Sequence, residues 1–190
     1  MKKFLVLVML IMTIAFGAES SLGGISLGDT FDSVIEKYPE FGGWRDLEPV
    51  SPPYPLHIIS KEPVYLAQSE KRDIICYFNE NKKVAAVAVY FYEKEDSSVY
   101  ETTSGLRAGD GPIELKLLYG DPVDISEFSY KDENREDVIR RMYYYPNLCV
   151  HTSQQTSKKQ SLPEIVESIV LANYDMKYVT RHKDDVQEKP

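Results

Sequence analysis

The sequence predicts an α+β fold of two repeated units, each a short helix packed on an antiparallel β-meander sheet. Three observations support this prediction. A segment containing Gly-Asp occurs twice, each copy is followed by apolar residues at helical spacing, and each helix is followed by short apolar segments separated by turn residues. The chain has 190 residues, 43% of them hydrophobic. This composition excludes collagen-like, disordered and multi-span membrane proteins.

The first segment has the layout of a signal peptide. Lys2 and Lys3 precede thirteen residues, Phe4 to Phe16, among which only Thr13 is polar, and Ala15 and Gly17 supply small residues at the −3 and −1 positions of the cleavage site. As a helix, thirteen residues rise about 20 Å, which is shorter than the hydrocarbon core of about 30 Å. We therefore predict a cleaved signal peptide over residues 1–17, no stable membrane insertion, and a periplasmic or secreted product. No Cys lies near the cleavage site, so lipid attachment is not predicted.

The charge of the chain bears on its partners. The formal net charge is −8, from 22 Lys+Arg and 30 Asp+Glu, and loss of Lys2 and Lys3 with the signal peptide takes it to −10. Such an acidic surface repels phosphate backbones and anionic lipid headgroups. We expect no nucleic-acid partner and no binding to the membrane surface.

The repeat is visible when residues 23–39 are aligned with residues 104–120. A constant offset of 81 pairs Gly28 with Gly109 and Asp29 with Asp110. Further on, Ile75-Cys76-Tyr77 pairs with Leu148-Cys149-Val150, and residues 84–92 pair with residues 166–174. Order and residue class are kept at three places, which predicts an internal duplication. The predicted organisation is a signal peptide at 1–17, a first repeat at 18–98, a second repeat at 99–180 and a disordered tail at 181–190.

A short amphipathic helix is predicted at the start of each unit. In the first unit the apolar positions are Phe31, Val34, Ile35 and Tyr38, with Asp29 or Thr30 as the N-cap and Pro39 as the stop. In the second unit they are Ile113, Leu115, Leu117 and Leu118, with Asp110 as the N-cap, Pro112 in the first turn, and Gly120 and Pro122 as the stop.

Four strands are predicted after each helix. In the first unit they are Leu56 to Ser60, Val64 to Gln68, Ile74 to Asn79 and Val84 to Tyr92, the last two joined by an Asn79-Glu80-Asn81 turn. In the second unit they are Ile125 to Tyr130, Val138 to Tyr145, Leu148 to Thr152 and Ile165 to Asn173, with a long loop from Ser153 to Pro163. Residues 165–174 also have helical periodicity, but their match to the β-branched residues 84–92 favours a strand.

The segments GISLGDTFDSVIEKYP and GLRAGDGPIELKLLYGDP carry a resemblance to a known family. This plan of strand, Gly-Asp, short helix and β-meander resembles the tandem repeats of secreted β-lactamase-inhibitor proteins and of small outer-membrane-assembly lipoproteins of the BamE (SmpA/OmlA) type. The lipidated Cys of the lipoproteins is missing here. The resemblance implies the fold and a binding role, including inhibition of an enzyme, and it transfers no site residues.

No catalytic, cofactor-binding or metal-binding residues are predicted. Gly24-Ile25-Ser26-Leu27-Gly28 matches a nucleophile elbow, but about seven mature residues before it are too few for the earlier strands of a hydrolase sheet, and Arg107 replaces Ser26 in the second copy. Cys149 and His151 form the only close pair of metal-ligand type, and on a strand they are predicted to share a face, but zinc needs three or four ligands. We therefore predict that the protein is not an enzyme and carries no cofactor.

The two cysteines fall at equivalent positions of the two copies. In an oxidising compartment Cys76 and Cys149 are predicted to form a disulfide that closes a loop of 73 residues. The alternative is two buried free thiols, since the Cα separation does not follow from the sequence.

The 14 tyrosines carry the functional prediction. Alternation along residues 84–92 puts Val87 and Val89 on one face. On the other face it puts Ala86 and Ala88 flanked by tyrosine, which predicts an open face that a partner could occupy. Tyr side chains suit protein-binding surfaces because they combine a rigid ring with a polar tip. The predicted protein-binding residues are Tyr90, Tyr92, Tyr143 and Tyr145. The alternative is that these rings are half-buried at the sheet rims.

The predicted function is that of an exported, non-catalytic protein-binding module. Its Tyr-lined sheet face would contact another envelope or extracellular protein, and the resemblance extends this role to enzyme inhibition. The alternative function is a structural or assembly factor of the bacterial cell envelope.

Overall fold

The computed structural model describes residues 18–51, 62–69, 73–91, 100–132, 136–156 and 161–172. The predicted signal peptide, strand 56–60, Tyr92 and the tail 181–190 lie outside these residues. The elements of the first half are β1 (Ser21–Leu22), β2 (Ile25–Ser26), α1 (Phe31–Lys37), two 3-10 turns (Pro39–Phe41 and Trp44–Asp46), β3 (Pro49–Val50), β4 (Val64–Gln68), β5 (Ile74–Phe78) and β6 (Val84–Tyr90). Those of the second half are α2 (Pro112–Tyr119), β7 (Asp124–Lys131), β8 (Asp137–Tyr145), β9 (Leu148–Thr156) and β10 (Ile165–Ala172).

Eight of the described strands form one sheet in the order β3-β4-β5-β6-β10-β9-β8-β7, and every neighbouring pair is antiparallel. The two halves of the chain meet where β6 pairs with β10, with Val89 opposite Ile169 and Ala88 opposite Val170. Both strands are buried on both faces over most of their length, as central strands are. Pairing them also removes two sheet edges whose backbone groups would otherwise lack partners.

The predicted fold class is therefore wrong. The described chain is mostly β, with one continuous eight-stranded sheet rather than two separate helix-plus-meander units. The two helices have only seven and eight residues. In α2 the side chains of Ile113 and Leu117 are 72% and 73% exposed, so this helix buries a narrow stripe only. Helices this short cannot cover one half-sheet each, whereas a joined sheet buries both central strands.

The individual strand predictions are largely confirmed. The strands that begin at Val64, Ile74, Val84 and Leu148 begin where predicted, and residues 165–172 form a strand rather than a helix. The predicted long loop after β9 is shorter than expected because the strand continues to Thr156. Alternation and turn residues are local signals, and this explains why they located the strands.

The two Gly-Asp segments have the same local hydrogen bonds. Gly28 and Gly109 have φ of +86° and +81°, a region that favours glycine. The carboxylates of Asp29 and Asp110 each accept a hydrogen bond from the backbone N–H three residues earlier, at 2.9 and 3.0 Å. Their carbonyl oxygens accept from N–H groups of β6 and β10, at 2.9 and 2.7 Å. These turns link each helix to a central strand, while the duplication itself stays a prediction.

The helix N-termini differ in how they are capped. Thr30 is the N-cap of α1, and its Oγ1 accepts from the Ser33 N–H at 3.2 Å. The N-cap of α2 is Gly111 rather than the predicted Asp110, and its N–H donates to Glu114 Oε2 at 2.9 Å. Asp110 is unavailable as the cap because its carboxylate accepts from Arg107 N–H one turn earlier.

Apolar side chains are buried on both faces of the sheet. We call the face that packs against α1 and α2 the helix face, and the other the opposite face. Buried strand residues of the helix face include Cys76, Val87, Val89, Tyr143, Tyr145, Leu148, Val150, Ile169 and Leu171. Buried residues of the opposite face are Val64, Tyr77, Ala86, Ala88, Tyr144, Cys149, Val170 and Ala172.

The two cysteines are free, buried thiols, so the structure contains no Cys76–Cys149 disulfide. Cys76 lies in the same cross-strand row as Val87, Leu171 and Leu148. Leu148 is next to Cys149, which places the two cysteines three strand spacings apart, or about 14 Å. A disulfide needs Cα atoms within about 7 Å, and these side chains also lie on opposite faces. The predicted disulfide is replaced by its alternative, two buried thiols.

A thiol titration tests this arrangement. Burial raises the pKa of both thiols, with a smaller contribution from Asp29 at Cys76. We therefore expect the native protein to be nearly unreactive toward a thiol reagent at pH 8. Unfolded protein without reductant should react at two thiols. Recovery of no thiol from unfolded, unreduced monomer would contradict the structure.

Candidate binding site on the sheet

Two of the four predicted protein-binding tyrosines lie in the core. Tyr143 and Tyr145 project from β8 to the helix face and are buried. The Tyr145 ring lies 5.3 Å from that of Tyr119, and the Tyr143 hydroxyl donates to Glu164 Oε1 at 2.9 Å. Their assignment to a binding surface is corrected, because a partner could reach them only if the helix side of the sheet opened.

The other two tyrosines belong to the strand that ends at Tyr90. Tyr90 lies on the opposite face and is half-buried, and Tyr92 lies outside the described residues. Ala86 and Ala88, predicted to form an open face beside them, are fully buried. The prediction of an open face is wrong at the centre of the sheet, and the accessible part of this face lies further out, on β7 and β8.

A half-open cavity of about 580 Å³ lies on the opposite face. One cross-strand row forms its floor, running from Tyr90 through Ser168 and His151 to Met142 on four adjacent strands. Phe128 and Arg140, paired across β7 and β8, lie on the same face further along these strands. The remaining lining residues are Phe91, Arg141 and Glu167.

His151 is the unusual polar group of this cavity. Its Nε2 atom is buried and has no hydrogen-bond partner within the described part of the chain. Burial, and secondarily the Arg140 charge, lowers the pKa of His151 to about 4. The imidazole is therefore neutral at pH 7, and a buried polar atom without a partner carries a desolvation cost.

Carboxylates accompany both arginines of this part of β8. Arg140 projects to the opposite face, and its Nε lies 3.4 Å from Glu167 Oε2. Arg141 projects to the helix face, where it donates from Nε to Glu127 Oε2 at 2.7 Å and from Nη1 to Glu164. Partial burial acts to lower the pKa of Arg141, but the hydrogen bonds and charges of Glu127 and Glu164 outweigh it and raise that pKa. The cavity thus combines aromatic walls, one ion pair and a neutral imidazole.

Two aromatic rings beside this cavity are exposed to solvent. Phe128 and Tyr130 project from β7 on the opposite face, with 45% and 39% of each residue exposed. Their rings are stacked with centroids 6.5 Å apart, and the Arg140 guanidinium lies 5.3 Å from the centroid of the Tyr130 ring. We call Phe128, Tyr130 and Arg140 the aromatic surface.

Our sequence predictions did not include this surface. A signal for it existed, because Phe128 and Tyr130 are two residues apart in the otherwise polar strand 124–131 and therefore share a face. The binding face was predicted on residues 84–92 instead, because that segment is more apolar.

Cys149 and His151 do share a face, as predicted. In the part of the chain that the structure describes, no group of three or more His, Cys, Asp or Glu residues could hold a metal ion.

The fold and site define a class of protein: a mostly β protein with one eight-stranded antiparallel sheet and a half-open aromatic cavity on one face. Among the described residues no helix has the length and apolar character to cross a membrane. No family model, curated protein or solved structure matches the chain. The resemblance to the inhibitor and BamE-type repeats therefore stays a prediction.

Proposed function

We propose that this protein is an exported, non-catalytic protein-binding module whose contact surface is the aromatic surface. The observation that carries the proposal is the pair of exposed, stacked rings of Phe128 and Tyr130 beside the Arg140 guanidinium. Tyrosine and arginine are enriched among the residues that dominate binding energy at protein interfaces. Aromatic rings held on a strand also lose little side-chain entropy on binding.

Charge indicates the chemistry of the partner. Between Asp121 and Ala172 the sequence has nine Asp and Glu and six Lys and Arg. The whole chain has a net charge of −8. An acidic surface of this kind favours encounter with a protein whose apolar contact patch is surrounded by basic residues. Export, proposed from residues 1–17, places that partner in the cell envelope or outside the cell.

A paired set of double variants tests this proposal. Phe128→Ala with Tyr130→Ala removes the rings, and Ile113→Ala with Leu117→Ala removes two apolar residues of α2 that are more exposed than the rings. Loss of one binding hot spot costs about 2 kcal/mol, or roughly 30-fold in affinity. We expect the first variant to lose at least that factor in partner capture from envelope extracts and medium, and the second to bind like the wild type.

Both variants must first show wild-type circular dichroism and cooperative unfolding. Equal capture by the two folded variants would show that the aromatic surface is not the contact site.

A further inference from the structure

We infer that the cavity on the opposite face binds a small, neutral aromatic molecule that carries a hydroxyl group. This inference goes beyond the proposed function, since it concerns a free ligand rather than a protein partner. The cavity volume of about 580 Å³ lies within the range of about 300–1,000 Å³ that is usual for small-molecule sites.

The walls indicate an aromatic ligand. Tyr90, Phe128 and Met142 line the cavity and offer ring and thioether surfaces. Aromatic rings pack favourably against other rings in offset or edge-on arrangements, and methionine sulfur adds favourable contacts with ring edges. A planar ligand would lie along the row that joins Tyr90 to Met142, where the sheet provides a continuous floor.

His151 indicates the hydroxyl group. His151 lines the cavity, and its buried Nε2 has no partner among the described residues. A ligand that supplies a partner removes the cost of that buried polar atom. Nε2 of a neutral imidazole donates in one tautomer and accepts in the other. A hydroxyl group can donate and accept, so it satisfies either tautomer.

The ion pair of the cavity indicates that the ligand is neutral. Arg140 is paired with Glu167, and both line the cavity. An anionic ligand would have to displace the carboxylate from this pair, and a cationic one would have to displace the guanidinium. Either displacement leaves one charge of the pair without its partner beside an apolar wall, which disfavours both.

A pair of probes that differ by one hydroxyl tests the inference. The full-length mature protein, labelled at its methionine methyl groups, is titrated with 2-naphthol and with naphthalene and followed by NMR. A Met142→Leu variant assigns the Met142 signal. We expect saturable shifts of the Met142 methyl with 2-naphthol and an affinity three- to tenfold higher than for naphthalene, the factor that one hydrogen bond supplies.

Two variants connect that difference to the imidazole. His151→Phe should bind both probes with equal affinity, and His151→Gln, which keeps a hydrogen-bonding side chain, should restore part of the difference. The inference is wrong if the Met142 methyl does not respond, if the wild type binds both probes equally, or if folded His151→Phe keeps the preference. If His151→Phe does not fold, the comparison of the two probes in the wild type still tests whether the cavity prefers a ligand with a hydroxyl group.

This experiment is independent of partner capture. If the wild type binds 2-naphthol and the Phe128 and Tyr130 double variant still captures the partner, only the proposed function is contradicted. If the double variant loses the partner but the wild type binds neither probe, only this inference is contradicted.

Discussion

Replacing Glu19 with alanine is expected to lower the free energy of unfolding by about 3 kcal/mol, because it removes the acceptor of one buried hydroxyl and of three backbone N–H groups at once. The Glu19 residue is buried, and its carboxylate accepts from the Tyr119 hydroxyl at 2.7 Å. It also accepts from the backbone N–H groups of Ser20, Thr103 and Ser104, at 2.8, 3.1 and 3.3 Å. One carboxylate thus joins the start of the described chain to the loop before α2.

The main chain of Glu19 is held as well. Its N–H donates to Asn147 Oδ1 at 2.8 Å, and Asn147 Nδ2 donates to its carbonyl oxygen at 2.6 Å. The Tyr119 hydroxyl lies 2.6 Å from Thr102 Oγ1, which extends the network into the core. Removal of the carboxylate therefore affects a connected set of hydrogen bonds rather than one pair.

The pH dependence of this network has a definite sign. Burial raises the pKa of the Glu19 carboxyl, but the hydrogen bonds from Tyr119 and from the Ser20 and Ser104 segments outweigh burial and leave the pKa below 4.5. A carboxyl with a lower pKa in the folded state stabilises the protein above its unfolded pKa. That stabilisation is lost as the pH falls below about 4.5.

Urea unfolding at pH 7 measures the effect. Glu36→Ala, at an exposed position of α1, serves as the matched control and should change stability by less than about 0.5 kcal/mol. Glu19→Gln keeps the shape and some of the accepting capacity, so its loss should fall between the two. Equal stability of Glu19→Ala and Glu36→Ala would show that the network contributes little.

Lowering the pH from 6.5 to 4 is expected to destabilise the protein by up to about 3 kcal/mol through His151 alone. Burial lowers the pKa of this imidazole from 6.5 to about 4 on folding. The unfolded chain therefore binds a proton that the folded chain does not, and stability falls as the pH drops through this window. Each unit of pKa difference corresponds to about 1.4 kcal/mol, which sets the upper limit.

Comparing the wild type with His151→Phe isolates the contribution of His151 to the pH dependence of stability. His151→Phe lacks the titrating group but keeps the other ionisable side chains, including His57 and His182. The free energy of unfolding of the wild type, measured from pH 7 to pH 4, should fall more steeply than that of His151→Phe. Parallel curves would show that His151 does not carry the acid sensitivity.

Local signals in the sequence determined most of the secondary structure. Alternating or continuous apolar residues located the strands at Val64, Ile74, Val84 and Leu148. A capping residue located α1, and apolar spacing after Pro112 located α2. Alternation also predicted that Cys149 and His151 share a face. Phe128 and Tyr130 could have been recognised in the same way, from their spacing in a polar strand.

Tertiary structure alone decided how these strands pair and which faces they bury. The sequence does not state that β6 pairs with β10, yet this pairing makes one sheet of two halves and keeps Cys76 three strands away from Leu148. It also aligns Tyr90 with His151 from distant parts of the chain. Strand pairing and burial depend on contacts far apart in sequence, whereas periodicity reports only the immediate neighbours of each residue. The strands could therefore be read from the sequence, while the sheet, its two buried faces and the cavity follow from their assembly.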